Sequence, residues 1–346
     1  MEIGWLLVFP YPKKGENSVM TGDCRADIIG LARQLYEKTS SGLVRHKLIH
    51  SGMYQASDRE REEALQRALE SKWVKELQAE QRADGSWGRF HTQDSKTQQK
   101  CETTERAAWR VRSLGIGRGT AIVDTLCAYM ETLLNDLSLW PDAWEKNKPF
   151  RPAVPLFIAS KLSIFGSEDQ QFQAIRDQWI SILNAGFSQG IYSRESVDAR
   201  ATELLGIEIQ KTYIALNGIN NLLLLSNHAD RIAGDVQRAY LKWLHELGDS
   251  IQYTSVSLSL QPEALVGTAR MQDYLWVLGM VSRLHGFREE FAAELEWLRS
   301  RQGGDGLWDF GSKLTGFRLS DNWRKDIDRK IDQTLHVLTI FQNAMR

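Results

Sequence analysis

Apolar residues recur along most of this chain at intervals of three and four, the period of an α-helix with one buried face, and few segments alternate with period two. The pattern predicts helices over residues 25–38, 57–81, 102–114, 118–136, 152–164, 168–185, 208–226, 229–248, 267–285, 287–302 and 328–345. Several end in a glycine or asparagine stop, at Gly115, Gly166, Asn227 and Gly286. With seven prolines in 346 residues, the fold class expected is all-α.

These helices are of two characters. Those over 57–81, 229–248 and 287–302 carry a polar face opposite an apolar one and suit an outer layer. Those over 152–164, 208–226 and 267–285 are apolar on most sides and suit an inner one.

One signature appears twice after an amphipathic run: Gln81-Arg-Ala-Asp-Gly85-Ser-Trp87 and Gln302-Gly-Gly-Asp-Gly306-Leu-Trp308. The Gln amide can cap a helix end, the Gly supplies the turn past it, and the Trp plate stacks on the neighbouring unit. Each copy reads as a clasp between adjacent helical hairpins. A weaker version, Gly186-Phe-Ser-Gln-Gly-Ile-Tyr192, has Tyr in place of Trp. Such recurrence marks a repeat architecture. Residues 1–50 are expected to add a helix to a body formed by residues 51–346, about six hairpins closed into one domain.

Lys plus Arg (43) nearly balance Asp plus Glu (44), which argues against nucleic acid or an anionic membrane surface as partner. Cys24, Cys101 and Cys127 are odd in number and far apart, fitting a reducing cytosol better than a disulfide framework or a zinc site. The apolar run after Met1 lacks a basic flank and meets Pro10 and Pro12 too early for a secretory signal. No stretch approaches the roughly 20 apolar residues of a membrane span. A cytoplasmic protein is expected, with transient membrane contact when it collects an apolar substrate. Twelve Trp, 12 Phe and 9 Tyr exceed what the clasps use, leaving aromatics to fill a large core or line an apolar pocket.

The spacing Gln-x-x-x-Gly-x-Trp, preceded in its second copy by Trp297-Leu298, resembles the QW repeat of squalene-hopene and oxidosqualene cyclases. The segment Thr103-Thr-Glu-Arg-Ala-Ala-Trp-Arg-Val-Arg-Ser-Leu-Gly115 looks like an inner helix of the same superfamily, which also includes the protein prenyltransferase β subunits. The resemblance covers residues 55–346 and implies a single (α/α)6 barrel, or toroid, around an isoprenoid pocket. Large cyclases carry two barrels, and this chain has room for one. It is therefore most similar to the monodomain class II meroterpenoid cyclases of the merosterolic acid synthase type. The implied activity is that of an isomerase with no cofactor. A carboxylic acid protonates the terminal alkene of a polyprenyl chain, often one attached to an aromatic acid, and cation-olefin ring closure follows.

Protonating an alkene requires a carboxyl kept protonated in a dry site, with its conjugate base stabilised by hydrogen bonds. The Asp-x-Asp-Asp-Thr motif of the classical cyclases is absent. Placing its Thr on Thr334 puts Asp332 at the donor position, and placing it on Thr104 puts Glu102 there; both would stand at inner-helix amino termini, where Asp and Glu are also common caps. Asp198, in Ser196-Val-Asp-Ala, is a third catalytic candidate and is expected in a loop before the inner helix near 208. Asp326-Ile-Asp328 reads as a solvated helix start. His336, four residues beyond Asp332, shares its face and could orient or reprotonate the acid, or could simply bond a backbone carbonyl. Trp109, Tyr213, Asn217, Tyr274 and Trp276 fall on predicted inner helices as substrate-binding candidates, their aromatic faces suited to carbocations and, equally, to core packing. Arg270 and Arg324 are candidates to receive a substrate carboxylate.

Other chemistries fit less well. The zinc of the prenyltransferases needs an Asp, Cys and His set, whereas Asp124 and Cys127 are three apart and Gln333 stands where the His would align. Metal-triggered ionisation needs an Asp-Asp-x-x-Asp cluster, which the sequence lacks. A non-catalytic toroid binding a prenyl lipid or a protein keeps every structural feature and needs no acid. A carbohydrate-active barrel conflicts with the apolar inner helices.

Overall fold

A computed structural model describes residues 23–92, 100–101, 103–142, 151–207 and 214–346. Among these the regular elements are helices, fifteen α-helices with short 3-10 turns between them, and the one ladder contact is an isolated bridge between Gly218 and Gln252. None of these helices is long and apolar enough to cross a membrane.

Burial separates the two helix characters. The helix Asp58–Leu69 buries only Ala64 and Ala68, and Gly234–Glu246 buries the single stripe Val236, Gln237, Tyr240, Leu241 and Leu244. By contrast Val154–Phe165 is buried continuously from Leu156 to Ser163, and Ile219–Asn227 from Asn220 to Ser226. A helix enclosed on every side must satisfy its polar residues internally, a requirement that shapes the candidate site.

Several predicted boundaries shift. The helix expected over 57–81 is two, Asp58–Leu69 and Lys72–Glu80, because Glu70 and Ser71 close the first with bonds back to Gln66 and Ala68. The helix expected over 287–302 is likewise Phe287–Glu290 followed by Ala292–Ser300. The inner helix expected over 208–226 is Ile219–Asn227; residues 214–218 form a turn whose Ala215 carbonyl accepts the Gly218 N–H, and 208–213 lie outside the described residues. Two helices were not anticipated, Gly42–His50 and Arg194–Leu205. The first packs so closely on its neighbour that a Cβ on Gly42 would lie 2.8 Å from the Arg67 backbone.

The chain divides into two compact units. One comprises Met1–Ser71, Gln261–Leu275 and Phe291–Arg346, the other Lys72–Leu260 and Trp276–Glu290. In the first, distant parts of the sequence meet: Gln342 Nε2 donates to the Ser51 carbonyl at 2.8 Å across 291 positions.

Each unit contains one clasp, and the two copies match atom for atom. Trp87 Nε1 donates to the Leu77 carbonyl (3.0 Å) and its backbone N–H to Thr104 Oγ1 (3.0 Å). Trp308 Nε1 donates to the Leu298 carbonyl (2.6 Å) and its backbone N–H to Thr334 Oγ1 (2.9 Å). The Trp thus ties the helix before the turn to the helix after it. Gln81 and Gln302 donate to the carbonyls of Gly85 and Gly306, and both glycines have positive φ (91° and 79°). The Gln therefore braces the turn, and in the first copy it also reaches the Ile122 carbonyl of Ala121–Asn135, 3.0 Å away. In the third, weaker copy Phe187 is the buried ring, and Tyr192 stacks on Trp243 at 4.4 Å.

Candidate functional site

Two buried polar constellations stand out, one in each unit. The first is Asp332, 1% exposed. It is the seventh residue of the helix Asp326–Asn343, so the expectation of a helix amino terminus fails for it: Asp326 and Asp328 occupy the first turn. Its partners come from the preceding loop. Oδ2 accepts the N–H groups of Leu319 (2.8 Å) and Ser320 (2.8 Å) and the Trp323 indole N–H (2.6 Å), while Oδ1 faces only the Ser320 hydroxyl, at 2.8 Å. Burial pushes this carboxyl above the usual aspartate range, and the donors at Ser320, Trp323 and Leu319 pull the other way.

His336 does not bond Asp332. Its Nε2 lies 3.0 Å from the Leu275 carbonyl, which can only accept, and its ring stacks on Phe317 with centroids 4.1 Å apart. Gln333, between Asp332 and Thr334, accepts the Phe310 N–H and donates to the Gly311 carbonyl. Tyr274 is fully buried with no partner for its hydroxyl among the described residues, and burial pushes its pKa up.

The second constellation surrounds Lys161, a lysine with no exposed surface, on Val154–Phe165. Its Nζ lies 2.6 Å from Glu105 Oε1, 2.6 Å from Asn220 Oδ1 and 3.2 Å from Ser160 Oγ. The second oxygen of Glu105 is 2.6 Å from His91 Nδ1. Burial alone would raise the Glu105 pKa, but Lys161 and His91 override it and hold the carboxylate at about 2. Burial lowers Lys161, with Glu105 pulling it back up.

The local sequence explains the convergence. Glu105 sits in the first turn of Thr104–Leu114, and its own N–H bonds the Phe90 carbonyl. Buried Asp142 accepts the N–H groups of Phe90, His91 and Thr92, which fixes the His91 ring beside Glu105 and against Phe157, 4.7 Å between centroids. One helical turn beyond Glu105, Trp109 stacks on Trp276 at 5.9 Å and 15°, with Lys161 Nζ 5.2 Å from its ring centre and the Arg112 guanidinium 5.3 Å from it.

Of the residues predicted from sequence, Trp109 and Trp276 are therefore brought together. Asn217 is not on a helix but in the turn before Ile219–Asn227, where Nδ2 donates to the Ser250 carbonyl at 3.4 Å; Asn220 faces the polar cluster instead. Asp198 is on the helix Arg194–Leu205 rather than in a loop, because Ser193 caps a helix there, and it lies 3.9 Å from Arg194. Arg270 and Arg324 are exposed. Glu102 and Tyr213 lie outside the described residues. Cys127 is buried and its thiol pushed up to about 12, chiefly by burial, while Asp124 accepts the Gly119 N–H.

Sequence reasoning missed Lys161, Glu105, His91, Asn220 and Asp142. A lysine in the apolar run Leu156-Phe-Ile-Ala-Ser-Lys-Leu was the available signal, since an enclosed helix carries a charge only with a partner. No protein-family model, no curated protein and no solved structure matches this chain.

Proposed function

We propose that the chain is a single (α/α)6 toroid acting as a proton-initiated class II cyclase on a polyprenyl substrate, with Asp332 as the acid. The observation that carries this reading is the asymmetry of the Asp332 carboxyl. Three N–H donors converge on Oδ2, while Oδ1 meets only a hydroxyl, which can accept as well as donate. Burial favours the neutral acid, and a proton on Oδ1 is compatible with every contact. When that proton adds to the terminal alkene a tertiary carbocation forms, and the anion left behind is received by donors already in place. Successive alkenes close the rings, loss of a proton from carbon ends the cascade, and the product is an isomer of the substrate.

A second reading has its own support: Asp142 makes the same kind of clamp, three backbone N–H groups on one carboxylate, without any resemblance to a catalytic motif. On that reading Asp332 orders the 319–323 loop of a non-catalytic toroid that binds a prenyl lipid.

The test is incubation with geranylgeranyl dihydroxybenzoate and free polyprenes in deuterated buffer, followed by mass spectrometry. A cyclised isomer carrying one deuterium, absent with Asp332→Asn, supports the cyclase. Saturable binding without product from any substrate supports the second reading.

A further inference from the structure

Among the described residues none takes a hydrogen bond or ion pair from the guanidinium of Arg112, near the end of Thr104–Leu114, and its Nη1 is sealed from solvent. An unpaired buried cation is costly, and arginine cannot escape by losing its proton. Burial and the neighbouring Arg283 bring its pKa down only to about 9, so it stays charged at neutral pH.

The surroundings add positive charge. Lys161 is matched by Glu105, which His91 also engages, so that carboxylate is already committed. Arg112 and Lys161 both lie over the Trp109 ring, and Trp276 stacks on that ring. The guanidinium carbon is 5.3 Å from the indole centre, and the paired N–H groups of a guanidinium edge match two coplanar oxygens. The residue as a whole is half-buried.

We infer that Arg112, backed by Trp109 and the neighbouring cations, is a binding site for the oxyanion of a small organic ligand, a carboxylate or a phosphoryl group. The inference stands apart from the role proposed for Asp332.

The full chain is titrated calorimetrically with benzoate, inorganic phosphate and pyrophosphate, each at two salt concentrations, and melted with and without each probe. At least one probe binds saturably, and Arg112→Met weakens it at least tenfold. Preference for benzoate identifies a carboxylate, preference for the phosphates a phosphoryl group. Because the guanidinium charge is uncompensated without a ligand, the ligand-free Arg112→Met protein melts no lower than the parent. Saturable binding by none of the three, undiminished binding by Arg112→Met, or a variant that melts lower or fails to fold would each overturn the inference.

Discussion

Thr334 Oγ1 accepts the backbone N–H of Trp308 at 2.9 Å, and this buried bond joins the turn of the second clasp to the helix that follows it. Thr334→Val keeps the shape and leaves the N–H unpaired. We expect a loss of about 1–3 kcal/mol in urea unfolding, with Thr334→Ser close to the parent.

Asp332→Asn and Asp332→Leu separate the two duties of this carboxyl. The amide can keep its oxygen on the three N–H donors and turn its NH2 to the Ser320 hydroxyl, so it folds. Leucine strands all three donors and costs about 3–5 kcal/mol. A thermal melt of both variants decides: equal losses would show that the hydrogen bonds do not hold the loop.

The two clasp glycines differ in what surrounds them. A Cβ on Gly85 would lie 2.2 Å from the Thr125 carbonyl oxygen, whereas on Gly306 the nearest atom is Gln302 Nε2 at 3.9 Å. Both variants to Ala meet the strain of positive φ, about 1 kcal/mol, and Gly85→Ala alone meets backbone. Gly85→Ala is expected to lower the melting temperature at least twice as far as Gly306→Ala.

Lys161→Met removes the cation facing Glu105 and leaves a buried carboxylate with His91 alone. The expected loss is about 3–5 kcal/mol. In Lys161→Met/Glu105→Leu most of it returns, so the double variant is more stable than the sum of the singles. Additive losses in a double-mutant cycle would mean the pair is not coupled.

Acid should weaken the fold in two windows. Burial and Arg176 hold His228 at about 4 against an ordinary 6.5, so between those values the unfolded chain binds a proton that the folded chain refuses. Stability falls as pH drops through that window, by about 2 kcal/mol for a half-buried ring, and His228→Asn flattens the slope. Glu105 is held at about 2, so its contribution is complete above the ordinary glutamate pKa and disappears as pH falls through 2. Urea unfolding at a series of pH values reads both.

The clasps and the helix characters were legible in sequence because both are local: a Gln, a Gly and a Trp at fixed spacing, and a period of 3.6. The Thr that completes each clasp, Thr104 or Thr334, lies 17 or 26 positions beyond the Trp N–H it accepts, so its role emerged only from the fold. The polar cluster is non-local throughout, with Asn220 59 positions from Lys161 and Asp142 51 from His91. Asp198 was misplaced because Ser193, its helix cap, follows a turn that resembles the start of a loop.

The bond from Gln342 to Ser51 sets an order on synthesis. At roughly 5–20 residues per second, the early helices emerge about 15–60 s before the helix that contributes Gln342. During that interval the unit containing Lys72–Leu260 already has nearly all of its sequence and is expected to form first. The helix Asp23–Lys38, which packs mainly on Asp326–Asn343 and has Ile28, Leu31 and Leu35 to bury, must wait with that side uncovered. A nascent chain arrested before residue 326 should therefore be cut by protease near its beginning while its middle resists.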